Sequence, residues 1–399
     1  MKVLYIDHTA EISGGERSLA DMVKALPPEV TPALACPDGP FAKAVRELGV
    51  PIFPIVGTDA SLRVHPVHTS GAAVAIVNAA TAVKRISARF RADLVHANSI
   101  RGGIVASIAH ALGAPPAVVY VRDCLPPGIV SSASLRIMGH GAACVLPNSR
   151  YTAQTLGEDF PAPVRVVHSP IDLASFDASG TDRATARASL GLSEADVVLV
   201  MVAQLTPWKA QDDAIRTLAL LRRRHDNVRL VLVGSAKFLS KATRYDNDAY
   251  RAWLGKLSLA LGVERDVFFL GERHDVASIL GASDIALLPS WEEPFGRSLI
   301  EAMAMERAVV ATNVGGPPEI LAHDREGLLL PPRAPERWAE AIDALIKDPS
   351  RRAELGRAGR RRVAAQFSVE RHVDAILDVY AETTGDGRPG PARPTSAGR

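Results

Sequence analysis

Short apolar runs recur along the chain, each followed by a polar or glycine turn and then by apolar residues at helical spacing. Val3 to Asp7 is the first run, and Leu19, Met22, Val23 and Leu26 give the stretch behind it one apolar face. Runs this short and this apolar suit strands buried on both faces, so their alternation with helices predicts parallel βαβ units. Val30 to Ala35, Ile52 to Val56, Asp93 to Asn98, Ala117 to Val121 and Ala143 to Pro147 continue the series. Pro32 and Pro54 lack a ladder donor and suggest strands near a sheet edge. Helices are expected around Pro40 to Leu48 and from Gly71 to Arg91, and the polar residues 57–70, with His65 and His68, read as a loop.

The polar, small-residue stretch 177–195 interrupts the pattern and predicts a domain boundary. Strands resume at Val197 to Ala203, Val228 to Gly234, Val267 to Gly271 and Asp284 to Pro289. Residues 235–254, with Lys237, Lys241, Arg244 and Tyr245, read as a loop and helix extension. Helices follow from Pro335 to Phe367, and Val369 to Thr383 is amphipathic. The expected organisation is α/β, with one domain over 1–175 and a second over 190–367. Residues 384–399 are rich in Gly, Pro, Arg and Ser and are expected to be disordered.

At 399 residues the chain is long enough for two separate cores. Its 46 basic and 44 acidic residues leave a net charge of +2, so no global field favours nucleic acid. Sparse aromatics also argue against a base-stacking surface. Cys36, Cys124 and Cys144 are odd in number and far apart, which fits a reducing compartment and neither a disulfide framework nor a zinc site. Met1 to Ile6 runs straight into Asp7-His-Thr9, too early for a signal peptide, and the run from Gly71 to Val83 is too short to span a bilayer. The expectation is a cytoplasmic protein. Lys84, Arg85, Arg89 and Arg91 close one helix; they suit either a solvated helix C-terminus or peripheral contact with the anionic inner membrane face.

Candidate chemistry concentrates in Ser290 to Met305. The stretch leaves a buried strand, turns at Gly296 and becomes helical, with Leu299, Ala302, Met303 and Met305 on one face. Glu293 sits at the turn and Glu301 inside the helix. A carboxylate among Ile300, Ala302 and Met303 is costly to bury without a partner. Arg297, one turn earlier, is one such partner; hydroxyls of a bound ligand are the other. Near the N-terminus Ser13-Gly-Gly-Glu-Arg17 forms strand, glycine loop, helix. Free N–H groups at such a helix start attract a phosphate, although an ordinary tight connection has the same pattern.

Glu293-Pro-Phe-Gly296 with Glu301 eight positions on resembles the acidic E-x7-E motif of family 4 retaining glycosyltransferases. Ala308 to Ile320, with Gly315-Gly316 and Glu319, and Gly327 to Pro331 resemble the same family. The resemblance implies the GT-B fold: two doubly wound, parallel-sheet, Rossmann-like domains facing a central cleft, with helix 369–383 packing back on the first domain. It also implies a metal-independent, retaining transfer from a UDP- or GDP-linked sugar to a hydroxyl acceptor, with no cofactor beyond that co-substrate. By the same resemblance Gly14 and Gly15 face the donor diphosphate, Lys209 binds it, and Gln204 stands where the family usually has an arginine. Arg297 helps to neutralise the leaving group. Arg273 ends the strand and turn that meet the base. Glu293 binds donor-sugar hydroxyls, Phe295 and Gly296 offer backbone N–H groups, and Glu301 binds the ribose. Arg122 and Asp123 stand where many members carry a histidine; Asp123 could orient the acceptor, or the two could pair and hold the loop. Asp246-Asn-Asp248, the only Asp-x-Asp, reads as solvated surface and not as a metal site. A GT-B sugar-nucleotide epimerase and a scaffold without turnover are the alternatives.

Overall fold

The computed structural model describes residues 1–57, 66–237 and 245–385. His65, Lys241, Arg244 and the tail from 386 onward lie outside the described residues. Two compact units account for the chain.

The first unit comprises residues 1–148, 152–168 and the helix Val369–Thr384. Its strands are β1 (Lys2–Ile6), β2 (Thr31–Cys36), β3 (Ile52–Pro54), β4 (Leu94–Ala97), β5 (Ala117–Val121) and β6 (Cys144–Pro147). They pair in parallel in the order β3-β2-β1-β4-β5-β6. Helices Gly14–Lys24, Pro40–Glu47 and Val369–Thr384 cover one face, where Leu19, Phe41 and Ile376 pack on Tyr5, Leu34 and Tyr120. Helices Pro66–Phe90, Ile100–Ala111 and Ile129–Gly141 cover the other, with Val83, Val105 and Met138 against Ile6, Val95 and Val119. The helix expected from Gly71 starts at Pro66, so residues 66–70 are helical and not loop; proline is well suited to a first turn, where its missing N–H has no partner to lose. β3, with Pro54, is an edge strand and β2, with Pro32, lies next to it; pairing between them begins only at Leu34, so Pro32 stands before that ladder starts.

A polar group is enclosed between this sheet and the C-terminal helix. The Tyr380 hydroxyl lies 2.7 Å from His96 Nδ1 and donates to the Tyr5 hydroxyl at 3.3 Å, while His372 Nδ1 lies 2.8 Å from the His168 carbonyl. Burial, and then the Arg122 charge, hold both His96 and His372 down at a pKa of about 3.

The second unit comprises residues 149–151 and 169–368. Strands β7 (Val197–Val202), β8 (Val228–Val233), β9 (Val267–Gly271), β10 (Ile285–Leu288), β11 (Ala308–Thr312) and β12 (Leu328–Leu330) pair in parallel in the order β12-β11-β10-β7-β8-β9. Helices Val276–Ala282, Arg297–Ala304 and Pro349–Gln366 cover one face, and Gln211–Arg222, Asn247–Ala260 and Pro335–Lys347 the other. In each sheet the winding direction reverses once, between β1 and β4 and between β7 and β10. Such a reversal opens a crevice at the carboxyl ends of the flanking strands.

The boundary expected at 177–195 falls earlier, after His168, and residues 169–195 pack on the second unit. Arg187, only 1% exposed, explains why this polar stretch is no linker. Its guanidinium donates to the carbonyls of Ala282, Ser193, Glu194 and Asp196 at 2.8–3.0 Å and to Asp284 at 2.8 Å, so all three of its nitrogens find acceptors.

Candidate active site

In the second unit the crevice is bounded by the loops that leave β7 and β10. After β7 the chain makes a single 3-10 turn, Pro207–Lys209, and Ala210 takes a left-handed φ of 61° before helix Gln211–Arg222 begins. This turn projects Lys209 over the Trp208 ring, 4.0 Å from its centroid. The Trp291 N–H donates to the Trp208 carbonyl at 2.8 Å, tying the β7 loop to the β10 loop. Lys209 Nζ then reaches Glu293 Oε2 at 2.6 Å, and the Ser290 hydroxyl donates to the same oxygen at 2.9 Å. The lysine side chain is 15% exposed and the carboxylate 6%, so the pair is largely dry yet open on one side. Two residues 84 positions apart are thus brought together at the reversal of the sheet.

Gly296, at φ 109°, turns the loop into helix Arg297–Ala304. Phe295 points into the core, with its ring 5.8 Å from that of Phe367, so any ligand contact from it must come from the backbone. Arg297 Nε donates to Glu301 Oε1 at 2.9 Å, which supplies the partner that a buried glutamate requires. The Gly315-Gly316 loop packs against this turn. A Cβ on Gly315, whose φ is 87°, would lie 2.1 Å from the Glu293 carbonyl, and one on Gly316 would lie 2.4 Å from Phe295 Cα. The Gly316 N–H donates to that Glu293 carbonyl at 2.8 Å. These glycines therefore serve close backbone packing, and the Gly316 N–H is engaged within the loop.

The remaining residues proposed from the sequence stand further out. The Gln204 side-chain amide donates to the Lys237 carbonyl at 3.5 Å, and the Gln204 backbone carbonyl accepts from the Gln211 amide at 2.8 Å. Arg273 does not stand as an open cation: it grips Asp275 through two bonds, 2.8 and 2.6 Å, at the surface. Asp246 caps helix Asn247–Ala260 by accepting from the Ala249 N–H at 2.9 Å, which gives that Asp-x-Asp an ordinary structural use.

The first unit presents its own row of polar side chains, one directly after each of four neighbouring strands: Asp7, Asn98, Arg122 and Asn148. Asn98 donates to Asp7 at 2.7 Å and accepts from Arg122 Nη2 at 2.7 Å, while Asn148 donates to the Arg122 carbonyl at 3.2 Å. Asp7 and Asn98 flank the reversal of this sheet as Lys209 and Glu293 flank the other. Arg122 therefore turns to Asn98 and not to Asp123, which is exposed. At Gly14-Gly15, Ser13 and Glu16 form a capping box: Glu16 accepts from the Ser13 N–H at 2.8 Å and from its hydroxyl, and the Gly15 N–H lies 3.4 Å from Ser13 Oγ. Burial and then the Asp7 charge push the Glu16 carboxyl upward. Sequence reasoning missed Ser290, Asp7, Asn98 and Asn148. The signal was a polar residue closing each apolar run.

Two family models match: "Glycosyltransferase Family 4" over residues 12–175 and "Glycosyl transferases group 1" over 182–362. A D-inositol 3-phosphate glycosyltransferase of Salinispora tropica is 35% identical over 240 residues, 57% of this chain and 48% of that protein. Its namesake from Mycobacteroides abscessus is 35% identical over 59% of this chain and 50% of its own length. The chain spans about half the length of the curated relatives it matches. Among solved structures, Anabaena Alr3699/HepE in complex with UDP is 25% identical with a TM-score of 0.79, over 96% of this chain and 100% of that one. The two family models between them take in most of both units, and the chain belongs to the group 1, family 4 glycosyltransferases.

Proposed function

We propose that the chain transfers a glycosyl group, with retention, from a nucleoside diphosphate sugar to a hydroxyl acceptor, and needs no metal. The observation that carries this reading is the Lys209–Glu293 pair at the strand reversal of the second unit. A transferase site must hold an anionic leaving group beside a hydroxyl-rich sugar, and this pair offers both poles within one contact. Lys209 uses one of its three N–H donors on Glu293 and directs others to the diphosphate. Glu293 accepts from sugar hydroxyls, and Glu301, steadied by Arg297, accepts from the ribose. In the step itself the anomeric carbon–oxygen bond breaks and its electron pair goes to the diphosphate. The acceptor oxygen bonds to the same face of the carbon, and its proton passes to the departing phosphate oxygen. Lys209 stabilises the charge as it develops. The Anabaena protein has been crystallised with UDP and with UDP and glucose, which supports a UDP-linked donor. A thermal-shift series with UDP-glucose, UDP-N-acetylglucosamine and GDP-mannose tests the reading. A ligand at a hundred times its Kd stabilises the folded state by ~2.7 kcal/mol. At least one of the three should raise Tm by several degrees; no shift with any nucleotide sugar would sink the donor assignment.

We also propose that this first unit meets an anionic membrane surface. Helices Pro66–Phe90, Ile100–Ala111 and Ile129–Gly141 contain no Asp or Glu, yet carry Lys84, Arg85, Arg89, Arg101 and Arg136. They share one face of the sheet, where Val77 is 50% and Ile129 84% exposed. Among the described residues no helix is long and apolar enough to cross a membrane, so the contact would be peripheral. The chain should pellet with phosphatidylglycerol-containing vesicles and be released by salt; equal pelleting with phosphatidylcholine alone would refute an electrostatic contact.

A further inference from the structure

Glu319 carries an interaction that nothing in the site chemistry above requires. Each of its carboxylate oxygens meets a backbone N–H: Oε2 accepts from Arg150 at 2.9 Å and Oε1 from Tyr151 at 3.0 Å. The residues so held reach directly to the loop bearing Glu293. The Ser149 hydroxyl, buried, donates to the Pro294 carbonyl at 2.5 Å, and the Tyr151 hydroxyl donates to Glu292 Oε1 at 3.3 Å. Glu292 and Pro294 are the two neighbours of Glu293. The circuit closes on the other side: the Glu319 N–H donates to the Gly316 carbonyl at 2.8 Å, and the Gly316 N–H to the Glu293 carbonyl at 2.8 Å. A ring of hydrogen bonds therefore begins and ends on the residues around Glu293, with the Glu319 side chain joining its two arms. All of its members lie within the second unit.

We propose that Glu319 is a positioning residue for Glu293: it fixes residues 149–151, which in turn hold the Glu292–Pro294 backbone at the setting that Glu293 needs. Two N–H groups, one on each oxygen, suit a carboxylate and no other side chain of that length. Glutamine keeps the shape but turns one oxygen into an N–H donor facing an N–H donor, so Glu319→Gln opens the ring at this point. The role in turnover rests on the transferase reading; the role in holding the loop does not. A misplacement of about 1 Å at the reacting centre can cost about a hundredfold in rate, so a partial slip of this loop is expected to cost about tenfold.

The experiment has two arms. In the first, amide exchange of the peptide spanning 290–297 is followed by mass spectrometry in the parent, in Glu319→Gln and in Ser149→Ala. Ser149→Ala cuts the ring at its other end and introduces no mismatched donor. Exchange should quicken by about tenfold in both variants, against unchanged exchange in β7, β8 and β10. Unchanged exchange in 290–297 in the folded variants overturns the proposal, whatever the activity. In the second arm, turnover of UDP-glucose and binding of UDP are measured. kcat should fall about tenfold while the Kd for UDP, which has no sugar for Glu293 to hold, stays within about twofold. On a Glu293→Gln background, Glu319→Gln should cost nothing further, because it acts through a carboxylate already removed. Additive losses would overturn the positioning role. A parent that turns over no nucleotide sugar would count against the transferase reading, and the exchange arm would still decide what Glu319 holds.

Discussion

Glu293→Gln is expected to lower turnover of the nucleotide sugar about a hundred- to a thousandfold while the protein stays folded. Glutamine keeps an oxygen for the Ser290 hydroxyl but cannot take a charged ammonium and several sugar hydroxyls together. Lys209→Ala should lose as much turnover for a different reason and should also cost stability. It strips the ammonium from a carboxylate that is 6% exposed, and an uncompensated buried charge costs ~3–5 kcal/mol. The double variant Lys209→Ala/Glu293→Gln removes both charges, so it should be more stable than Lys209→Ala alone while remaining inactive. That reversal of order between stability and turnover separates a working pair from a structural ion pair. A purely structural pair would give a Glu293→Gln enzyme with near-parental kcat and a lowered Tm, and that outcome would remove Glu293 from the chemistry.

Much of this arrangement is legible in the sequence. The apolar runs gave the parallel strands because a sheet covered on both faces leaves no polar alternation to hide them. The turn at Glu293-Pro-Phe-Gly296 announced a strand-to-helix corner, and the buried Glu301 announced its partner Arg297 one turn away. Both are local signals, readable from spacing alone. The contact between Lys209 and Glu293 is of another kind. It depends on β7 and β10 lying side by side although β8 and β9 come between them in sequence, and no periodicity encodes that adjacency.

Glycine was the least transparent residue. Gly14-Gly15 reads as an anion cradle, yet a glycine that admits a ligand and one that admits another stretch of backbone look identical in sequence. At Gly315 and Gly316 the space is filled by the Glu293 and Phe295 backbone. The polar stretch 177–195 misled for a related reason. Composition marks it as a linker, but one buried arginine with five matched hydrogen bonds makes it part of the second unit.

Acidification should destabilise the first unit well above the range in which carboxylates titrate. In the unfolded chain a histidine takes up its proton near pH 6.5. In the folded chain His96 and His372, enclosed under the C-terminal helix, do so only near 3. Between those values the unfolded state binds more protons than the folded one, so stability is complete above about pH 6.5 and is lost as the pH falls. Each ring contributes ~1.4 kcal/mol per pH unit across that window, and the two together cost roughly 4 kcal/mol by pH 5. Arg122 reinforces the effect, since its charge opposes a second positive charge on either ring. Unfolding followed from about pH 7.5 to about pH 5 should therefore show a two-proton slope for the transition of this unit. His96→Phe should lower that slope by about one proton whatever it does to the stability at neutral pH, because phenylalanine has no proton to gain. The Tyr380 hydroxyl, which loses His96 in that variant, retains Tyr5 at 3.3 Å. Stability independent of pH over this range would mean that the two imidazoles charge freely in place and that the helix Val369–Thr384 does not seal them from water.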